Sequence, residues 1–172
     1  MLKELSAYIH DLARYLIEPG AEELNIEIDE EPSNDLLTIV ISNDINWQTT
    51  YSARKPSAAI PLLRQACDLC GGRLIIKHSA QGSKLTASMR YFHADRPPMG
   101  SLPDLIQEII MSAPDTRVSY THRYDGREYQ ISTSAIKAML EGVPMDTPPV
   151  AQWLREKIGE GLAHIMQEKV LE

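Results

Sequence analysis

Residues 54–72 read RKPSAAIPLLRQACDLCGG. Ile60, Leu63, Cys67 and Cys70 recur at three- and four-residue intervals, with Leu62 and Leu69 beside them, so the spacing predicts an amphipathic helix. Gly71 and Gly72 end it, because glycine enters the left-handed conformation that closes a helix without steric cost. The approach to this helix is the informative part. A helix N-terminus offers unpaired N–H groups to an anion, and glycines ahead of it let a phosphate come close to bare backbone. Pro56, Ser57, Ala58 and Ala59 stand there instead. Proline removes a donor and Ala59 adds a Cβ. Arg54 and Lys55 leave only a general attraction for anions.

Working outward, RLIIKHS and KLTASMRYFH read as two strands joined by a tight turn at Gln81 and Gly82. Upstream, LNIEIDE alternates apolar and charged residues, and LLTIVIS is a continuous apolar run suited to a central strand. Leu2, Leu5, Ile9, Leu12 and Leu16 form one helical face, stopped by Pro19 and Gly20. The predicted order is helix, strand, strand, loop (43–56), helix, strand, strand. The segment DRPPMGSLPD, 95–104, reads as a linker. Beyond it come a short helix near 103–112, a hairpin RVSYTHRYDGREYQIS turning at Asp125 and Gly126, and a helix capped by Ser134 and ended near Gly142. Thr147 as N-cap and Pro148 at the first position open a long last helix. Its apolar face is Val150, Trp153, Leu154, Ile158, Leu162, Ile165 and Met166.

The 172 residues suffice for one ordinary domain or two small ones, and 43% apolar with 24% charged residues is soluble globular composition. The net charge of −7 argues against non-specific binding to nucleic acid or anionic lipid. The N-terminal stretch mixes charges into its apolar positions, unlike a secretory leader, and no apolar run reaches membrane-spanning length; a cytoplasmic location is expected. Cys67 and Cys70 lie at the C-terminal end of one helix on its apolar face, where the dipole does not activate a thiol, so core packing is expected of them. Two ligands alone would leave a zinc site incomplete. The five histidines, His10, His78, His93, His122 and His164, show no ligand spacing and are expected on the surface or in the hairpin.

Residues 1–95 resemble the ATP-binding domain of the GHKL (histidine kinase-like) ATPase superfamily. More narrowly, PLLRQACDLCGG, HADRPPMGSLPDLI and YDGREY make the chain similar to small "ATP-binding region, ATPase-like" proteins of anaerobic bacteria. The resemblance implies an α/β two-layer sandwich of the Bergerat type, a mixed sheet with helices on one face. It divides the chain into a 1–95 ATPase-like domain and a small α+β extension over 96–172. It also implies a gene encoded beside those of electron-bifurcating hydrogenase subunits.

The superfamily's ATP site can be compared position by position. The resemblance aligns Asp11 with the general base and Tyr15 with the Mg²⁺-ligating Asn one turn later. A neutral phenol is a poor Mg²⁺ ligand. Asn43 falls where the adenine-binding Asp would be, and Ile45 and Trp47 fall at its glycines. Asp44 is one residue out of phase, which on a strand turns a side chain to the other face unless a bulge intervenes. Ser57 and Ala59 replace the glycines of the phosphate lid. Base, metal and phosphate positions have all changed. The expectation is a degenerate ATP site comprising Asp11, Tyr15, Asn43, Asp44, Trp47, Ser57 and Ala59, with no cofactor or metal. Asp11 is the one residual catalytic candidate. The expected role is a non-catalytic accessory subunit with a protein partner, such as hydrogenase or electron-transfer subunits. Homodimerisation through the terminal helix is a further option. The alternative is a weak ATP-binding protein or ATPase using Mg-ATP. Histidine-kinase activity is not expected.

Overall fold

The structure is a computed structural model that describes residues 3–18, 20–45 and 57–167. Trp47 and the Arg54–Pro56 approach therefore lie outside the described residues, as do Leu2 and Pro19. The chain begins with helix α1 (Leu5–Ile17), followed by strands β1 (Glu23–Glu31) and β2 (Leu36–Asn43) with a single 3-10 turn at Pro32–Asn34 between them. Helix α2 (Ala59–Leu69) precedes the hairpin β3 (Arg73–Ser79) and β4 (Gly82–Met89). Helix α3 (Leu102–Ser112), the hairpin β5 (Arg117–Tyr124) and β6 (Arg127–Ser132), and helices α4 (Thr133–Leu140) and α5 (Pro148–Met166) complete it.

The strands form one six-stranded sheet in the order β3-β4-β2-β1-β5-β6. Every neighbouring pair is antiparallel except β1 with β5, which is parallel. The sheet is mixed, as expected. The 95/96 boundary, however, does not separate two sheets: the second hairpin extends the first sheet, with Ile26 opposite Tyr120 across the parallel pair. The reason lies in patterning. Leu24, Ile26 and Ile28 on β1 and Val118 and Tyr120 on β5 are all fully buried, so the two strands share one apolar face. Helices α1, α2, α3 and α5 contribute Leu12, Leu63, Ile106 and Leu154 to that same core, each at 0% exposure. Burying a side chain of this size stabilises by about 1.5–3 kcal/mol.

Local chemistry explains several boundaries. No side chain caps the start of α1. Instead, the linker carbonyls of Pro98 and Met99 accept from Leu5 N and Ser6 N at 2.9 Å each, satisfying donors a helix start leaves open. Gly100 makes this approach possible, since at φ +82° any Cβ there would lie 2.0 Å from Ser6 Oγ. Strand β4 stops at Met89, short of the expected 93. Asp35, itself at φ 50°, accepts from Arg90 Nε and Phe92 N at 2.8 Å each and turns the chain into the linker. The first hairpin turns at Ala80 and Gln81, one residue earlier than expected, because Gly82 already pairs with Ser79. The second turns at Asp125 and Gly126 as expected, both at positive φ. The cap of α4 is Ser132, whose Oγ accepts from Ala135 N at 3.2 Å, rather than Ser134. In α5, Val150, Leu154, Ile158, Leu162 and Ile165 are buried while Trp153 and Met166 are half-buried against the core.

Candidate functional site

Asp11 projects from α1 into a cleft of about 330 Å³ between α1 and α3, lined also by Glu4, His10, Asp104 and Glu108. Its carboxylate is held by Lys3 Nζ at 2.6 Å, with His10 Nδ1 at 3.6 Å. Partial burial pushes its pKa up, but the Lys3 hydrogen bond and charge, then His10, outweigh that and leave it below the usual carboxylate range. Glu108 meets His10 Nε2 at 3.2 Å across the cleft. This is an acidic surface groove whose charges are largely paired internally.

Asn43 ends β2 and is buried, and it lines a different depression with Ser42, Lys77, His78 and Gly82. Its Nδ2 donates to Leu16 O at 3.4 Å, and its Oδ1 accepts from Ile45 N at 3.2 Å. One side chain thus ties the C-terminal end of α1 to the exit of β2. Leu16 lies five residues beyond Asp11, about 7.5 Å along the helix axis. Asp44 Oδ1 accepts from the backbone N–H groups of Glu22 and Glu23 at 3.1 and 3.2 Å, which fastens the entrance of β1. Tyr15 is half-buried and packs on the core. Ser57 Oγ accepts from Ala59 N at 3.3 Å, occupying a donor at the start of α2, and Ala59 is itself buried. Asp11 and Asn43 therefore face separate clefts, and Asn43, Asp44 and Ser57 each serve a nearby backbone segment.

Sequence reasoning missed a second constellation. Glu30, Tyr120 and His122 are buried where β1 and β5 run side by side. Tyr120 Oη lies 2.5 Å from His122 Nδ1, and His122 Nε2 lies 2.5 Å from Glu30 Oε2. Tyr91, just past the end of β4, donates its hydroxyl to Glu30 Oε1 at 3.1 Å. A carboxylate can only accept, so the bond to Glu30 is donated by His122 Nε2. Burial, followed by the charges of Glu30 and Tyr129, raises the Tyr120 pKa well above the usual value and keeps the phenol protonated. With Tyr120 and His122 at 0% exposure, no substrate reaches this acid, imidazole and hydroxyl array. It acts as a polar pillar joining β1 and β5 to the turn that follows β4. The signal was present: continuing the alternation Leu24, Ile26, Ile28 places Glu30 on the core face, and Val118, Tyr120 does the same for His122.

Cys67 and Cys70 are both buried and free. Burial first, then the charges of Asp68 and Cys70, push the Cys67 thiol up to about 12. Among the described residues no group of three or more His, Cys, Asp or Glu side chains could hold a metal ion. No helix among them is long and apolar enough to cross a membrane.

No family model matches the chain, and no curated protein matches it. Among solved structures, the ADP complex of the MutL ATPase domain of Aquifex aeolicus is similar to it at 12% sequence identity and a TM-score of 0.47, over 82% of this chain and 69% of that one. Likeness of that degree fixes neither ligand nor activity.

Proposed function

We propose that this protein is a nucleotide-free scaffold of GHKL-like architecture that works through protein association. The reading is supported above all by where the polar groups at the expected ATP site are spent. The buried Asn43 amide is committed on both sides, to Leu16 O and Ile45 N. An adenine would have to displace those bonds, and a buried polar group stripped of its partner costs about 1–3 kcal/mol. Asp44 and Ser57 are engaged with backbone N–H groups in the same way. Tyr15 brings a phenol where a Mg²⁺ ligand is needed. Asp11, the remaining catalytic candidate, lines the α1/α3 cleft rather than the depression beside Asn43.

The partner class proposed from the sequence resemblance is a hydrogenase or another NADH-linked electron-transfer complex. Pull-down with the full chain against such subunits tests that part separately. The scaffold reading is tested by thermal denaturation with and without millimolar Mg-ATP and Mg-ADP, for the unmodified protein and for Tyr15→Asn. A ligand that binds only the native state must raise the melting temperature. No shift is expected, and a rise of several degrees in the unmodified protein would instead establish a nucleotide-binding protein.

A further inference from the structure

The sheet face opposite the core carries an unusual charge arrangement. On it, Lys77 of β3 and Lys84 of β4 are direct cross-strand neighbours, and both are exposed. Like charges directly opposite on a sheet destabilise it. Among the described residues no ion pair engages either lysine. On the same face, Asp29 and Glu31 follow each other along β1; Arg123 stands beside Asp29 in the parallel register without reaching salt-bridge contact, and Glu31 accepts from Asn34 Nδ2 at 3.2 Å. The other cations of the central and β5 strands are already committed, Arg117 to Glu23 and Arg123 to Glu27 and Glu128.

The register relates the two like-charged pairs by symmetry. Lys84 stands opposite Ser42 of β2, and Asp29 stands opposite Thr38 from the other side of β2. Val40 is midway between Ser42 and Thr38, and so lies at the midpoint of the line from Lys84 to Asp29. A two-fold axis in the plane of the face, passing over Val40 and perpendicular to that line, carries Lys84 onto the Asp29 position of a second copy. With strands about 4.8 Å apart and a rise of about 3.4 Å per residue, the same rotation brings Lys77 within roughly 3 Å, in projection, of the Glu31 position. The centre of the face is compatible with contact, since Val40, Thr38 and Thr86 are half-buried and uncharged. Six strands of up to nine residues outline an area of roughly 650 Å², of the order of the about 800 Å² per partner in a standard interface.

We infer that the open sheet face is a homodimer interface, in which Lys77 and Lys84 of one copy meet Glu31 and Asp29 of the other across a two-fold axis at Val40. This is an isologous contact, so each charge pair occurs twice. It also relieves the repulsion each pair carries within a single chain. The surface is distinct from the α5 helix, whereas Lys77 and Lys84 also line the depression beside Asn43.

Sedimentation velocity over about 1–100 μM protein, at low and at high salt, reads the interface directly. A dimer at low salt that weakens by at least tenfold in Kd at high salt is expected, because exposed charge pairs are screened. The variant K77E/K84E and the variant D29K/E31K should each be monomeric. Mixed in equal amounts, they should dimerise again, since every repulsive pair then becomes attractive. Far-UV circular dichroism and melting curves of each variant confirm folding. Should one variant fail to fold, the unmodified protein with its salt series and Val40→Arg decide the matter. A chain that stays monomeric throughout overturns the inference and leaves the lysines as guards of the β3 edge. A dimer indifferent to both variants overturns it as well and locates the contact elsewhere.

Discussion

Glu30→Ala is expected to destabilise the fold by about 3–5 kcal/mol, the cost of losing two hydrogen bonds to a buried carboxylate. The structure supplies two components. His122 Nε2 loses an acceptor at 2.5 Å and Tyr91 Oη loses one at 3.1 Å. Hydrogen bonds to a charged group contribute about 1.5–3 kcal/mol each, so the two together reach the same range. For a chain of this size the melting temperature should fall by about 6–20 °C, at about 2–4 °C per kcal/mol. Glu30→Gln keeps one carbonyl acceptor and the shape, and should cost clearly less. Urea denaturation gives the free energies from the shift in midpoint at constant m. The pairing is isolated by repeating Glu30→Ala in a His122→Phe background, where the penalty should shrink by at least about 1 kcal/mol. A loss below about 1 kcal/mol for Glu30→Ala, or full additivity of the two substitutions, would refute the pillar that joins β1, β5 and the turn after β4.

Three further outcomes follow from single sites. Gly82→Ala should destabilise by at least about 1–3 kcal/mol in the same urea assay, because Gly82 sits at φ +147° and a Cβ would lie 2.1 Å from Asn43 O. Cys67, buried and raised to about 12, should resist iodoacetamide at pH 8 in the native state and react only after unfolding, as mass spectrometry of the labelled chain would record. Burial, then the charge and hydrogen bond of Glu30, push the Tyr91 phenol up to about 12. Its folded-state pKa lies above the unfolded value of about 10. Its contribution to stability is therefore complete below pH 10 and lost as pH rises towards 12. Tyrosinate absorbance in an alkaline titration should show one late-titrating tyrosine fewer in Tyr91→Phe than in the unmodified protein, with the difference in stability disappearing in that window.

Much of the fold was legible because its signals are local. The 3.6-residue stripes of α1 and α5 and the Asp125-Gly126 turn depend on near neighbours, and those elements appear where the pattern puts them. The parallel union of β1 with β5 was not legible, since nothing local distinguishes a hairpin that begins a second unit from one that extends the first sheet. The linker misled for the same reason. Its prolines and glycine suggest a boundary, yet its carbonyls cap α1, and Tyr91 just ahead of it bonds to Glu30. At the candidate site the hydrogen-bond partners of the expected residues were not legible. Asn43 reads as a missing adenine-binding Asp in sequence; only the folded chain reveals that its amide joins Leu16 to Ile45. The expectation for His122 missed its burial because spacing between histidines was considered and strand phase was not.

The central claim is that the polar groups at the ATP-site positions serve the fold itself and leave no nucleotide site. Isothermal titration of the unmodified protein with Mg-ATP tests it most directly, supported by the melting temperature at saturating nucleotide. No heat of binding and no thermal shift are predicted. A measured Kd in the micromolar range, with the stabilisation of about 2.7 kcal/mol that ligand at a hundred times Kd must give, would contradict it.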